Sequence, residues 1–173
     1  MRSQMSESQT IHFRSATIED LPAVLLLLAD DVLGTSRENL DEAALGKYQE
    51  AFRRICAQQG NQILLGVQGD EVVATLQLTI IPGLAHQGGT RAQIEAVRVK
   101  SSARSQGIGK LLFQEAVTIS SQCGCSMVQL TTDRRRGDAV RFYESLGFES
   151  THIGMKLPIP TSQRLLSGAD PTG

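Results

Sequence analysis

The run Ile94-Glu95-Ala96-Val97-Arg98-Val99 reads as a strand, and Arg104-Ser105-Gln106-Gly107-Ile108-Gly109 as a glycine-bearing loop. Lys110-Leu111-Leu112-Phe113-Gln114-Glu115-Ala116-Val117 reads as the helix that this loop opens. Strand, loop and helix in that order build an anion site. The first N–H groups of a helix have no partner inside it, and the positive end of the helix dipole lies beside them. Together with the loop's own N–H groups they can cradle a pyrophosphate without any particular side chain. Glycine at 107 and 109 lets the backbone turn and approach the phosphates where a Cβ would intrude. The spacing is neither the GxGxxG of a dinucleotide fold nor the GxxxxGK[ST] of a nucleotide P-loop, which narrows the ligand.

The rest of the chain has to supply a sheet and helices around that loop, and its length of 173 residues suits one domain able to bury about two thirds of its unfolded surface. Apolar residues at 40%, charged residues at 20% and a formal charge of −1 describe an ordinary globule, and argue against nucleic acid as a partner. The longest apolar run, Val24 to Ala29, is far short of the ~20 residues needed to cross a bilayer. Met1 to Thr10 is polar and lacks a signal-peptide core, so a cytoplasmic location is expected. Cys56, Cys123 and Cys125 lack the paired spacing of a zinc site and read as reduced thiols, the last two flanking a helix-ending turn and half-buried.

Along the chain, Ile11 to Arg14 alternates as a first strand does, after a flexible tail at 1–9. Thr17 with Asp20 is a weak capping pair, and Pro22 suits a first turn, so a helix is expected from about 18 to 31, broken by Gly34. A second helix is expected from Asn39-Leu40-Asp41 to about Gln59, with Gly60-Asn61 as a left-handed ending. Gln62 to Val67 and Glu71 to Ile81 flank Gln68-Gly69-Asp70 as a hairpin. Pro82 to Arg91 is a long loop leading into the strand 92–99; the helix at 107–122, a fifth strand Ser126 to Thr132 and a last helix Asp138 to Ser145 follow. Phe148 to Leu157 is expected to close the sheet, and 158–173 to form a second flexible tail. The alternation predicts an α/β chain with a mixed sheet covered on both faces.

Arg-x-x-Gly-x-Gly after a strand resembles the acyl-CoA signature of the GNAT superfamily of N-acetyltransferases. A second block, Ala139-Val140-Arg141-Phe142-Tyr143-Glu144-Ser145-Leu146-Gly147-Phe148, is similar to the family's late helix, with its Ala-x-x-x-Tyr spacing and closing Leu-Gly-Phe. The resemblance spans residues 10–157 as one domain. It implies a central, mostly antiparallel twisted sheet with splayed fourth and fifth strands and helices on both faces. The pantetheine arm of acetyl-CoA would enter the splay along the backbone of Val97, Arg98 and Val99. Only nine residues separate Phe148 from Pro158, too few for the family's two final strands. Either one strand ends the sheet or another subunit completes its edge, so a homodimer is open.

Aminolysis of a thioester needs a neutral amine, a donor for the oxyanion and a proton for the departing thiolate. Glu95, at a strand position where the family often has a carboxylate, is the candidate general base, with desolvation near bound ligand expected to raise its pKa. The alternative is an ion pair with Arg91 or Arg98. Tyr143 matches the tyrosine whose hydroxyl lies near the cofactor sulfur, and its reference pKa of ~10 keeps it protonated at neutral pH; the alternative is a ring packed beside Phe142. An N–H near Val97 is the candidate oxyanion donor.

Gln106, Gly107, Ile108 and Gly109 are expected to bind the pyrophosphate through N–H groups, with Ser105 in the same loop and Arg104 and Lys110 adding charge. Arg136 stands where the family commonly has asparagine, and the run Arg134-Arg135-Arg136 would face the adenosine 3′-phosphate or an acidic acceptor, or only solvent. Asp30, Asp31, Glu38, Tyr48, Gln77 and Gln93 are candidate acceptor walls. His12 and His152 receive no role, His86 is a weak acceptor candidate, and no metal is expected. The function expected is transfer of acetyl from acetyl-CoA to a primary amine by direct attack in a ternary complex, a small-molecule amine favoured. Transfer to a protein N-terminus or lysine, or an acyl-CoA-binding regulatory module without transfer, are the alternatives; a pure binder needs neither Glu95 nor Tyr143.

Overall fold

The computed structural model describes residues 10–30, 38 and 41–160. β1 (Ile11–Ser15) leads through a 3-10 turn (Ile18–Asp20) into α1 (Leu21–Ala29), with Pro22 in its first turn. The Asp20 carboxylate takes the Thr17 N–H at 2.8 Å and the Arg14 guanidinium at 2.6 and 2.7 Å, which fastens the start of α1 to β1. α2 (Glu42–Ala57) begins at Asp41, whose side chain accepts the Ala44 N–H at 2.7 Å, a helix cap of the usual Asp type. The expected boundaries at Asp31, Gly34, Asn39 and Leu40, and the tails at 1–9 and 161–173, lie outside the described residues.

β2 (Asn61–Gln68) and β3 (Glu71–Ile81) form the expected hairpin, turned at Gly69 with φ 62°. A four-residue turn, α3 (Ala85–Gly88), has His86 and Gln87 in the left-handed region and precedes β4 (Thr90–Val99), which starts two residues earlier than the sequence indicates. α4 (Ile108–Gln122) crosses to β5 (Cys125–Leu130), and α5 (Gly137–Ser145) is the last regular element among the described residues. Cys123 at the end of α4 is exposed rather than half-buried, because Gly124, at φ 74°, turns the chain away from the core; Cys125 is partly buried.

The sheet order is β1-β2-β3-β4-β5, antiparallel except for β4 and β5. A helical crossover between β4 and β5 makes that last pair parallel. Leu64 and Leu65, neighbours on β2, face opposite ways. Leu64 packs with Leu76, Leu78 and Ile94 against Leu112 and Phe113 of α4, and Leu65 packs with Val24 of α1. Helices therefore cover both faces, and β2 reads as a continuous apolar run because it is buried on both.

Two irregularities in β4 make the site. Its pairing with β5 stops at Ile94↔Leu130, so Glu95 to Val99 have β3 on one side only. The register to β3 also slips: Gln77 pairs with Glu95 and Thr75 with Arg98, which leaves Ala96 and Val97 together opposite Leu76. This is a β-bulge, and Ala96 takes φ 53°, a conformation that a residue with a Cβ adopts at a cost.

The expected closing strand from Phe148 to Leu157 does not form. Residues 148–160 have no regular structure, and Ile153, Met155 and Leu157 are exposed, although Gly154 passes close to Thr131. β5 also ends at Leu130 instead of Thr132. A strand whose apolar side chains have no surface to cover gains little from joining an edge.

Candidate active site

Lys100 to Gly107 carries the chain from β4 to α4. Ser105 and Gly107 both have positive φ, 62° and 78°, and Gly107 is the residue that caps α4 without any side-chain hydrogen bond. The first N–H groups of α4 therefore have no acceptor from a cap side chain. The two glycines have different reasons. A Cβ on Gly107 would meet open space, so its φ is the constraint, whereas a Cβ on Gly109 would lie 3.1 Å from Phe142 Cζ and 3.6 Å from Val99 Cγ2. Gly109 is small so that α5 can pack against α4. Ser105, Gln106 and Lys110 are exposed, and Ile108 is buried in the core.

The Lys100 N–H donates to Val73 O at 2.8 Å, across to β3. Strand alternation then turns the main-chain groups of Val97 and Val99 the other way, into the gap beside β5. Val97 O accepts from Arg98 Nη1 at 2.7 Å and Val99 O from Arg104 Nε at 3.1 Å. Each carbonyl has a second lone pair for another donor. The Arg104 guanidinium is committed to this framework, since its Nη2 also donates to Asp30 O at 2.8 Å. The Asp30 side chain accepts the Ser101 N–H at 2.7 Å. Asp30 thus ties the end of α1 to the loop instead of facing an acceptor.

Tyr143 is the second fixed point. Its ring packs on Phe113, Phe142 and Phe148 at centroid distances of 5.6, 5.5 and 6.1 Å. The Leu-Gly-Phe ending explains the last contact. Gly147, at φ 91°, lets Phe148 N–H donate to Tyr143 O at 3.1 Å and Gly147 N–H to Glu144 O at 2.9 Å. This Schellman ending folds Phe148 back onto the tyrosine. Burial pushes the Tyr143 phenol above its ordinary value of 10, and the positive charges of Arg136 and Arg98 partly offset that. The tyrosine holds its proton at neutral pH, and two cations stand within electrostatic reach of it.

Glu95 lies at the other side of the bulge, exposed and on the face covered by α1 and α2. No ion pair or hydrogen bond among the described residues engages it, so pairing with Arg91 or Arg98 is not what holds it. Its row across the sheet contains Ile63 and Gln77; the next row contains Asn61, Thr79, Gln93 and Gln129. Asn61 Oδ1 accepts from Gln77 and Thr79 at 3.1 Å, and Gln129 Nε2 donates to Gln93 Oε1 at 2.8 Å. Gln77 and Gln93 are thus part of an amide floor beside Glu95. Asp31 lies outside the described residues; Glu38 accepts the Tyr48 hydroxyl at 2.7 Å. Arg135 pairs with Asp133 at 2.6 Å in the loop before α5. Among the described residues no three His, Cys, Asp or Glu side chains gather as metal ligands would.

The sequence gives no sign of two features. The positive φ of Ala96 carries no residue signature, because alanine is not the residue that conformation favours. The second is a cavity of about 110 Å³ between α1, α2 and the sheet, lined on the sheet side by Ile63, Thr75, Leu76, Gln77 and Ala96 and by Tyr48 of α2. Its walls come from segments far apart in the chain.

A five-stranded sheet splayed after a bulge in β4, with a glycine-capped helix opening beside the splay, defines an acyltransferase architecture. The chain belongs to the acetyltransferase (GNAT) family, whose model matches residues 29–148. It is 26% identical over 153 residues, 88% of this chain and 94% of the other, to an aminoalkylphosphonate N-acetyltransferase from Salmonella typhimurium. It is likewise 26% identical over 160 residues to glucosamine 6-phosphate N-acetyltransferase 1 of Dictyostelium discoideum, covering 90% and 95% of the two chains. Among solved structures it is similar to a protein described as a transcriptional regulator from Bacillus halodurans C-125, at 43% identity and TM-score 0.83, covering 87% and 100% of the two chains. A putative acetyltransferase from Agrobacterium tumefaciens matches at 29% identity and TM-score 0.76, covering 86% and 99%. The chain is an acyltransferase of the GNAT type.

Proposed function

We propose that this enzyme transfers the acetyl group of acetyl-CoA to the primary amine of a small molecule by direct attack. The observation that carries this reading is the pairing of the splayed half of β4 with the glycine-capped start of α4. The N–H groups at Gln106, Gly107, Ile108 and Gly109 meet the diphosphate, and the main chain of Val97 to Val99 lines the arm. Lys110 and Arg136 add positive charge on the same side. The amine nitrogen, having lost a proton to Glu95 directly or through water, bonds to the thioester carbonyl carbon. An N–H at the Ala96–Val97 bulge receives the oxyanion. The C–S bond then breaks, and Tyr143 donates a proton or hydrogen bond to the departing thiolate. No covalent enzyme intermediate is needed.

A small acceptor is supported by the named substrates of the two curated relatives, both small amines. The name of the Bacillus halodurans protein favours a second reading, a regulatory binder of acyl-CoA, but the exposed Glu95 beside the bulge, which pairs with no other side chain among the described residues, has no use in such a module. We also place the enzyme in the cytoplasm, which cell fractionation tests, and read the exposed row Ile153, Met155, Leu157 and Ile159 as a self-association surface forming a homodimer, which sedimentation tests. The central experiment is CoA release with acetyl-CoA and a panel of amines, amino acids and peptides, alongside calorimetry of acetyl-CoA binding. Turnover with a small amine is expected. Binding of acetyl-CoA with no acceptor raising CoA release above hydrolysis would select the regulatory module, and preference for peptides would select a protein acetyltransferase.

A further inference from the structure

The cavity beside the bulge has walls that define a chemistry. Leu25 and Leu28 of α1, Phe52 and Ile55 of α2, and Ile63 and Leu76 of the sheet surround it, and among the described residues no lining residue carries a charge. Ala96 both lines it and is exposed, so it meets solvent where the bulge aims its main chain. Three lining residues, Tyr48, Gln77 and Thr75, carry polar atoms; the Tyr48 hydroxyl donates to Glu38 and the Gln77 amide to Asn61, which leaves Thr75. Thr75, 2% exposed, has its hydroxyl oxygen buried without a hydrogen-bond partner among the described residues. A buried hydroxyl left unpaired is unfavourable, and most are satisfied by something.

Resting on the acetyl-transfer reading, we infer that this cavity seats an uncharged hydrocarbon group on the acceptor, of about four or five carbons. The preferred acceptor is therefore an aliphatic amine and not an amine bearing a phosphate or phosphonate. The size follows from the volume: an apolar cavity of about 150 Å³ takes benzene, so about 110 Å³ suits a branched alkyl group. A phosphoryl group placed there would lose its hydration with no cation among the described lining residues to replace it. The amine on such a group emerges beside Ala96, with Glu95 on the adjacent strand position.

The test compares ethylamine, n-propylamine, n-butylamine and isoamylamine with 2-aminoethylphosphonate and glucosamine 6-phosphate in CoA release. The expected result is a rise in kcat/KM of about fourfold for each added CH2 up to the cavity's length, with both phosphorus-bearing amines below n-butylamine. Ala51→Leu, on an exposed helix position lining the cavity, is expected to lower kcat/KM for isoamylamine about tenfold while leaving acetyl-CoA affinity unchanged. A flat alkylamine series, or preference for either phosphorus-bearing amine, overturns the inference. So does faster transfer from butyryl-CoA than from acetyl-CoA with ethylamine, which would make the cavity an acyl pocket. A second readout is independent of transfer: isoamyl alcohol, titrated against methyl-labelled protein, should shift the Leu25, Leu28 and Ile55 resonances in the wild type and not in Ala51→Leu. Absence of those shifts overturns the inference whatever the enzyme acetylates. Shifts without turnover of any amine keep the cavity assignment and defeat the transfer reading instead.

Discussion

The two sides of the Ala96 bulge are built from different materials. On the α4 side, main-chain geometry does the work: Gly107 at φ 78°, a glycine-capped helix start, and the groups of Val97 and Val99 turned into a gap that β5 leaves open. On the α1–α2 side, side chains do it: a hydrocarbon cavity, an amide floor and an exposed carboxylate. A site made of backbone binds whatever anion fits its amides and tolerates many surrounding sequences. A site made of side chains changes ligand with each substitution. One enzyme can thus keep a common donor and hold a private acceptor.

Breaking the chemistry at the junction of the two sides should give the largest effect. Glu95→Gln and Tyr143→Phe are each expected to lower kcat about 100-fold, the general acid–base range, with the acetyl-CoA dissociation constant little changed. CoA release under saturating substrates, paired with calorimetry, checks this. Full activity in either variant would remove that residue from the mechanism without disturbing the fold. Because burial holds the Tyr143 phenol above 10, its loss of a proton should not limit the wild-type rate below pH 10.

Gly107→Val tests the main-chain side alone. A β-branched residue at φ 78° is strained, and relieving the strain moves the amides at the start of α4 that are proposed to bind the diphosphate. An increase in the acetyl-CoA dissociation constant of about tenfold is expected, with far-ultraviolet circular dichroism unchanged. If affinity stays the same, the anion is held elsewhere and the contrast between the two sides is lost.

These two sides also differ in how far the sequence reveals them. Gly107 and Gly109 announce the loop because glycine's absence of a Cβ is itself the signal, even though the structure gives Gly109 a packing reason, Phe142, that spacing alone does not contain. Leu146-Gly147-Phe148 is legible for the same reason: only a left-handed residue lets Phe148 return to Tyr143. The hairpin and the helices follow from local patterns of turn residues and apolar spacing. Thr75, Ala96 and the α1–α2 wall were not legible, since an ordinary apolar residue looks the same whether it fills a core or borders a cavity. The strand expected from Phe148 to Leu157 fails to form for a related reason. The alternation of Ile153, Met155 and Leu157 fits a strand, but a strand also needs a surface to cover, which sequence does not display.

Gly147→Ala should sharpen the comparison at smaller scale. A Cβ there meets nothing within 4 Å, so the whole cost is backbone conformation, about 1 kcal/mol of stability. The Tyr143–Phe148 contact depends on that turn, so kcat is expected to fall severalfold while acetyl-CoA affinity holds. Thermal unfolding and steady-state kinetics on the same sample separate the two. A stability loss with unchanged kcat would show that Phe113 and Phe142 position the tyrosine unaided.

The smallest expected effect comes from the far end of α1, which carries one wall of the cavity proposed to seat the acceptor. Asp20 binds Arg14 through both oxygens, chiefly through those hydrogen bonds, and its carboxyl is held at about 2 against an ordinary 3.8. A depressed folded-state value means that folding favours the charged form. Its contribution is therefore complete above about pH 4 and drains away as the pH falls toward 2. Arg14 is half-exposed, so Asp20→Asn is expected to cost only about 0.5–1 kcal/mol at neutral pH, measured by urea unfolding. The stability gap between wild type and variant should narrow between pH 4 and pH 2. Since the other end of α1 is tied through Asp30 to the loop before α4, the variant should raise KM for the amine more than for acetyl-CoA. Equal changes in both would mean that α1 moves as one body with the donor side, and that the two halves of the site are not independent.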